Sequence, residues 1–331
     1  MTMRVGVPRG LLYHEYAPAI HTFLESCGAE TVVSPQTNRE ILEKGLALCV
    51  DDACLPVKAF FGHAAVLSDQ VDALFVARFV SVERGAYICP KFMGLPDMIR
   101  ARLQNAPPII DMCVDIRQGL GSYVSSLPCS DTCKVLGVAP RHLSWALGAA
   151  LMAQRKEDRR RVKRFAPSGS AVARTGLGGY TRESIYETSL TIGVLGHAYN
   201  LDDAYLSLGL ISKLEKMGVK AVTAEDYAYD NLRRWERRGA DRKQVFWTAG
   251  RKLIGAARRW RETGEVDGMV HLTSFGCGPE SFVAEVIARD AARHPAMPLI
   301  ILNVDEHSGE AGMATRLEAF VDTVRMGKSK R

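Results

Sequence analysis

Short apolar runs alternate along most of the chain with stretches in which apolar residues recur every three or four positions. Runs of the first kind predict buried strands, and stretches of the second kind predict helices packed on them. In the first part, Arg4–Pro8, Glu30–Ser34, Asp72–Ala77 and Pro108–Val114 read as strands. Between them Pro18–Ser26, a stretch through Ile41, Leu42 and Leu46, Pro56–Leu67 and Pro96–Leu103 read as helices. Cys27-Gly28-Ala29 gives the first helix a glycine stop, and Asn38 gives the second a side-chain cap. The later part repeats the plan. Thr191–Leu195, Lys220–Thr223, Val266–Leu272 and Pro298–Val304 read as strands, and Asp202–Met217, Phe246–Arg261, Ser281–Arg293 and Gly312–Val324 as helices. Strands alternating with helices imply parallel sheets covered on both faces, hence two doubly wound α/β domains.

The expected domains are residues 1–125 and 190–331, joined by a connector over 126–189. Within the connector Arg141–Phe165 reads as a bridging helix, and Pro167–Gly179, rich in Gly, Ser and Ala, as a linker or lid. With 331 residues, 47% of them hydrophobic, the chain is long for a single core and suits two. No apolar run approaches the roughly 20 residues of a membrane span. Met1–Val7 enters a strand pattern without a signal-peptide layout. The expected location is therefore the cytoplasm, without membrane association. The net charge of +6 owes much to Arg155, Lys156, Arg159–Arg161, Lys163 and Arg164. That run lacks the interleaved aromatic residues of a single-strand binder. It reads as a solvated face, and no nucleic-acid partner is expected.

The eight cysteines change the picture. In a cytosolic chain such a set argues for metal or redox chemistry rather than a disulfide framework. Cys27, Cys49 and Cys113 lie among apolar residues and read as packing. Cys277 follows the strand Val266–Leu272 in Gly276-Cys277-Gly278-Pro279, where two glycines allow a tight turn and Pro279 starts a helix. Cys54 stands likewise two residues before the helix-starting Pro56. Cys89 lies in a Cys-Pro pair within Tyr87–Phe92. Helix N-termini lower thiol pKa values and favour thiolate ligands. There is no Cys-x-x-Cys, so simple zinc-ribbon and ferredoxin spacings are absent. The spacing leaves both a shared metal site and three unrelated loop cysteines open. Cys129 and Cys133 form the one tight pair, either additional ligands, a redox pair or incidental neighbours.

Two further clusters follow strands of the second domain, His197-Ala198-Tyr199-Asn200 and Asp305-Glu306-His307-Ser308. His197, Glu306 and His307 are candidates for acid–base work or for hydrogen bonds that support a metal ligand. Capping and loop hydrogen bonding is the alternative. Neither a Gly-x-Gly-x-x-Gly after a strand nor a P-loop is present, which excludes nucleotide binding by those means.

Taken together, several ordered motifs resemble proteins of the acyl-CoA dehydratase activase-related family. They are Val7–Tyr16, Val33–Asn38, Asp52–Lys58, Tyr87–Phe92, Gly196–Asn200, Phe275–Pro279 and Asp305–Gly312. The resemblance covers nearly the whole chain except about 122–189. That family is related to the D-component (beta) subunits of 2-hydroxyacyl-CoA dehydratases and to benzoyl-CoA reductase subunits. The resemblance implies two Rossmann-like (flavodoxin-like) domains and a 4Fe-4S cluster, or a larger one, at their interface. Its cysteine ligands map onto Cys54, Cys89 and Cys277. It further implies a separate ATP-dependent activase that delivers low-potential electrons, a homologous subunit or second copy as partner, and an acyl-CoA thioester as substrate. An added electron acidifies the β-proton of a 2-hydroxyacyl-CoA, and a cluster on three thiolates leaves one iron open. A non-catalytic electron relay or scaffold, and a higher-nuclearity protein that reduces small molecules, are the alternative roles.

Overall fold

The computed structural model describes residues 2–119, 130–164, 190–238, 244–293, 295 and 297–329. The chain forms two compact units, Met1–Glu157 with Phe246–Thr248, and Asp158–Val245 with Ala249–Arg331.

The first unit runs β1 (Arg4–Val7), α1 (Tyr13–Ser26), β2 (Glu30–Val33), α2 (Arg39–Leu48), α3 (Leu55–Ser68), β3 (Ala73–Phe75), β4 (Arg78–Ser81) and α4 (Pro90–Arg102). It continues through β5 (Ile109–Ile110), β6 (Cys113–Asp115), α5 (Ser130–Leu136) and α6 (Pro140–Arg164). Its main sheet is parallel, in the order β2-β1-β3-β5. Asn38 caps α2 as its position predicts, its side chain accepting from the Ile41 amide at 2.9 Å. The strand expected over Pro108–Val114 is divided. Asp111 interrupts it, its carboxylate bound by Arg78 at 2.7 Å and Arg100 at 3.1 Å. Beyond the break β6 leaves the main sheet and pairs with β4, a strand that the apolar pattern does not reveal. Helix α1 starts at Tyr13 rather than Pro18, because Tyr13 and Ala17 join Ile20, Phe23 and Leu24 on its buried face. Helix α4 starts at Pro90 rather than Pro96.

Helix α3 is buried almost all round, from Leu55 to Leu67. It crosses α2 so closely that a β-carbon at Gly62 would lie 1.8 Å from the Ile41 carbonyl oxygen. Only glycine permits that approach, and the crossing fixes where α3 begins.

The second unit runs β7 (Leu190–Leu195), α7 (Ala198–Leu201), α8 (Leu210–Lys216), β8 (Val219–Thr223), α9 (Tyr229–Glu236), α10 (Thr248–Thr263), β9 (Gly268–Ser274), α11 (Gly278–Ala292), β10 (Leu299–Val304) and α12 (Glu310–Ser329). Its parallel sheet has the order β8-β7-β9-β10. In both main sheets the first strand thus sits between the second and the third, the flavodoxin-like order. Of the helix expected over Asp202–Met217 only Leu210–Lys216 forms, and turns take the place of its first half. The Asp203 carboxylate accepts from the amides of Tyr205 and Leu206 at 2.9 and 3.1 Å, and Leu208 and Gly209 adopt left-handed backbone at φ 51° and 67°. Side-chain competition of this kind ends a helix. The core gathers around Trp260, whose ring lies over Gly193.

The fold is thus α/β, with two Rossmann-like parallel-sheet units and the long helix α6 in the connecting stretch. Pro167–Gly179 lies outside the described residues. Among the described residues no helix is long and apolar enough to cross a membrane.

Candidate functional site

In the first unit, two of the sequence-selected cysteines share one local design. Cys54 is the N-cap of α3, with Pro56 in its first turn. Cys89 is the N-cap of α4, with Pro90 as its first residue. Neither side chain makes a capping hydrogen bond. Lys91, in the first turn of α4, donates from Nζ to the Asp52 carbonyl at 3.0 Å, tying the head of α4 to the loop before Cys54. The Cys89 thiol is raised above its ordinary range, chiefly by burial; the Lys91 amide pulls it back and the nearby Cys54 thiol adds to the rise. A helix N-terminus alone is expected to lower a thiol, but here desolvation outweighs it. Residues Phe246–Thr248 flank the same loop. The Tyr87 amide donates to the Phe246 carbonyl at 2.8 Å, and the Thr248 amide to the Tyr87 carbonyl at 3.1 Å.

In the second unit the site lies where open α/β sheets bind ligands, at the carboxyl ends of the strands where the strand order reverses. His197 follows β7 and Cys277 follows β9, and these two strands are neighbours. Cys277 is the N-cap of α11, with Pro279 in the first turn and again no capping bond from the side chain. Its carbonyl accepts from the Ser281 hydroxyl at 2.8 Å, which fixes the turn. Gly276 before it takes left-handed backbone at φ 76°. One ligand atom each from His197, Cys277 and Glu280 lie within 4.8 Å of one another.

Glu280 organises this group. It is fully buried, in the first turn of α11, and its Oε2 accepts from the Ser274 amide at 3.3 Å. The same oxygen stands 3.9 Å from His197 Nε2, while Oε1 stands 3.8 Å from His271 Nε2. Burial pushes the Glu280 carboxyl up; the two imidazoles and the Ser274 amide more than offset this and hold it below the ordinary glutamate value. Asn200 donates to the Ser274 hydroxyl at 2.9 Å. The His197 ring stacks on Tyr199 with centroids 4.8 Å apart. Glu280 Oε1, Asn200 Oδ1 and both ring nitrogens of His271 are buried without a hydrogen-bond partner.

His197 therefore belongs with Cys277. Glu306 and His307 are not members of the trio. They lie on the turn after β10, where the Asp305 carboxylate accepts from the His307 amide at 3.0 Å and the Ser308 hydroxyl at 2.8 Å. Cys133 packs with Cys27 in an apolar cluster, and burial together with that neighbour pushes the Cys27 thiol up to about 11. Its sequence partner Cys129 lies outside the described residues. Cys49 is buried and Cys113 half-buried. Glu280 and His271 do not stand out in the sequence. The available signal for Glu280 is its place three residues after Cys277, the third helical position from which a carboxylate reaches back to the helix start. His271 sits mid-strand, paired with Leu195, and looks like any residue of an apolar run.

The fold and site define a flavodoxin-like α/β protein of two units, with cysteine-capped helices in each. Residues 4–226 match the family described as the CoA enzyme activase uncharacterised domain, and the chain belongs to that family. No curated protein matches it. Among solved structures, a carbohydrate transporter from Acidothermus cellulolyticus 11B, in complex with myo-inositol, aligns at 9% identity over 92% of this chain and 74% of that one. Its TM-score of 0.22 is too low to bear on the fold.

Proposed function

We propose that the chain is an iron–sulfur component of an ATP-dependent reductase or 2-hydroxyacyl-CoA dehydratase-like system, and that it receives low-potential electrons from a separate activase. One observation carries the reading. Cys54, Cys89 and Cys277 each cap a helix opened by proline, and none of the three side chains is spent on capping. A thiolate so placed faces backbone amides and the positive end of a helix, which favours an anionic cluster. Membership of the activase-related family supports the assignment.

Three thiolates are the donors a 4Fe-4S cluster takes, and in this reading Cys54, Cys89 and Cys277 would hold it. Such a cluster supplies one-electron chemistry at low potential. The residues beside Cys277 are suited to hold a proton or orient an oxygen. Glu280 offers a buried carboxylate, and His197 an imidazole kept in plane by Tyr199. A homologous subunit or second copy would complete the system, with an acyl-CoA thioester as substrate. The cytoplasm is the compartment that suits such a cluster.

The test is EPR of the anaerobically purified, dithionite-reduced protein, recorded with and without acyl-CoA thioesters. A cluster signal that shifts on adding a thioester supports the dehydratase or reductase role. A signal reduced by an activase but blind to thioesters makes the chain an electron relay instead.

A further inference from the structure

We propose that the second unit carries a transition-metal site of its own, in which Cys277, His197 and Glu280 bind a single divalent ion of the zinc, ferrous or cobaltous class. The inference goes beyond the cluster reading and does not depend on it. Cys277 serves in both, so the single ion belongs to the chain when no cluster is present.

Three observations converge on it. The ligand atoms of the trio already lie within 4.8 Å of one another. Tetrahedral bonds of about 2.0–2.3 Å bring such atoms to about 3.3–3.7 Å apart, so an ion needs only a small contraction. His197 and Cys277 also follow adjacent strands, β7 and β9, where the strand order reverses, and Glu280 lies in the first turn of α11. The third observation points to a ligand independently of the cysteine and the helix end. Glu280 is 1% exposed, its ion-pair partners among the described residues are histidines rather than lysine or arginine, and its Oε1 has no hydrogen bond. A carboxylate shut off from water in this way is costly unless a cation or donors compensate it. The neighbouring His271, wholly buried, adds two more unpartnered nitrogens.

The chemistry of the set selects the ion. One thiolate, one imidazole and one carboxylate form a mixed donor group that suits zinc, ferrous or cobaltous ions and is too soft for magnesium or calcium. Three protein ligands leave a fourth position for water or a substrate oxygen, the arrangement of reactive rather than structural sites. His271, beside Glu280 Oε1 at 3.8 Å, is placed to orient the carboxylate behind the ion.

The experiment is a titration of full-length, cluster-free protein with Co2+ under anoxia, read by the thiolate-to-cobalt absorption band and the visible ligand-field bands. The expected result is one Co2+ per chain, retained in the Cys54→Ser/Cys89→Ser double variant and without a thiolate band in Cys277→Ser. His197→Ala and Glu280→Gln should each weaken binding by about tenfold or more. Circular dichroism checks that each variant is folded, and His197→Gln serves as a second, milder change on the imidazole side. The absence of a thiolate band in the wild type overturns the proposal. So does a band that disappears in the double variant yet survives His197→Ala and Glu280→Gln. Iron and sulfide uptake on anaerobic reconstitution is measured separately. Cobalt binding without a cluster leaves this site standing alone, and a cluster without this cobalt site leaves the cluster reading standing alone.

Discussion

The carboxylate of Glu280 and the imidazole of His271 face each other at 3.8 Å, both shut off from solvent, beneath the turn that carries Cys277. Glu280 also receives the Ser274 amide at the end of β9. Removing the carboxylate orphans that amide and takes a charged neighbour from the imidazole. Glu280→Ala should cost about 1–3 kcal/mol, the penalty of an unmet buried polar group. Glu280→Gln, which keeps an acceptor for Ser274, should cost less. Urea unfolding of the two variants measures the difference, and an alanine variant as stable as the wild type would show that the carboxylate is not structural.

The crossing of α2 and α3 is set by glycine on both sides. A β-carbon at Gly45 would lie 1.9 Å from the Lys58 carbonyl oxygen, in backbone that cannot swing aside. Gly45→Ala and Gly62→Ala should each destabilise the first unit by about 1–3 kcal/mol, as overpacking does. If Cys54, the cap of α3, holds a cluster, both should also slow its assembly. At Gly94, inside α4, an added β-carbon would meet open space, so Gly94→Ala is the control and should stabilise by up to about 1 kcal/mol, the helix preference of alanine over glycine.

His63 lies wholly buried in α3, with Nδ1 2.9 Å from the Ser34 hydroxyl and Nε2 3.0 Å from the Thr37 hydroxyl. Burial, aided by His14 and Arg9, lowers its pKa from 6.5 to about 3. The folded chain therefore keeps His63 neutral where the unfolded chain takes up a proton. Its contribution to stability is complete above pH 6.5 and is lost as pH falls from there toward 3. The urea midpoint should drop on acidification from about pH 7 to about pH 5, and His63→Gln should show a shallower drop. Parallel curves for the two proteins would contradict this assignment.

Lys91 links the two cysteine-capped helix heads of the first unit through its bond to the Asp52 carbonyl. Lys91→Met preserves the stem and removes the donor. If Cys54 and Cys89 hold a cluster, this variant should fold normally and lose iron to a chelator several-fold faster than the wild type. Equal rates would mean that the spacing of the two thiols does not depend on Lys91.

Much of the architecture could be read from the sequence because doubly wound sheets are written in local patterns. The apolar cores of β1, β2, β3 and all four strands of the second sheet stand out as short runs, and Asn38 and Pro56 mark helix starts by chemistry that is local to them. What escaped depends on contacts distant in sequence. β4 exists because β6 pairs with it, and Arg78 binds the Asp111 that breaks the strand before β6. The turns that replace the first half of the helix expected over Asp202–Met217 rest on one carboxylate, Asp203, that competes for backbone amides. The site was legible where a residue is chemically distinctive and lies at a strand end, as with Cys277 and His197. It was not legible for His271, whose role arises only when β9 lies beneath the head of α11.

The most direct test of the central claim is iron and acid-labile sulfide analysis of strictly anaerobic protein, run beside Cys54→Ala, Cys89→Ala and Cys277→Ala. The account predicts about four irons and four sulfides per chain in the wild type, with loss of the cluster in each of the three variants. No iron or sulfide under strict anoxia, or variants that retain the wild-type content, would contradict it.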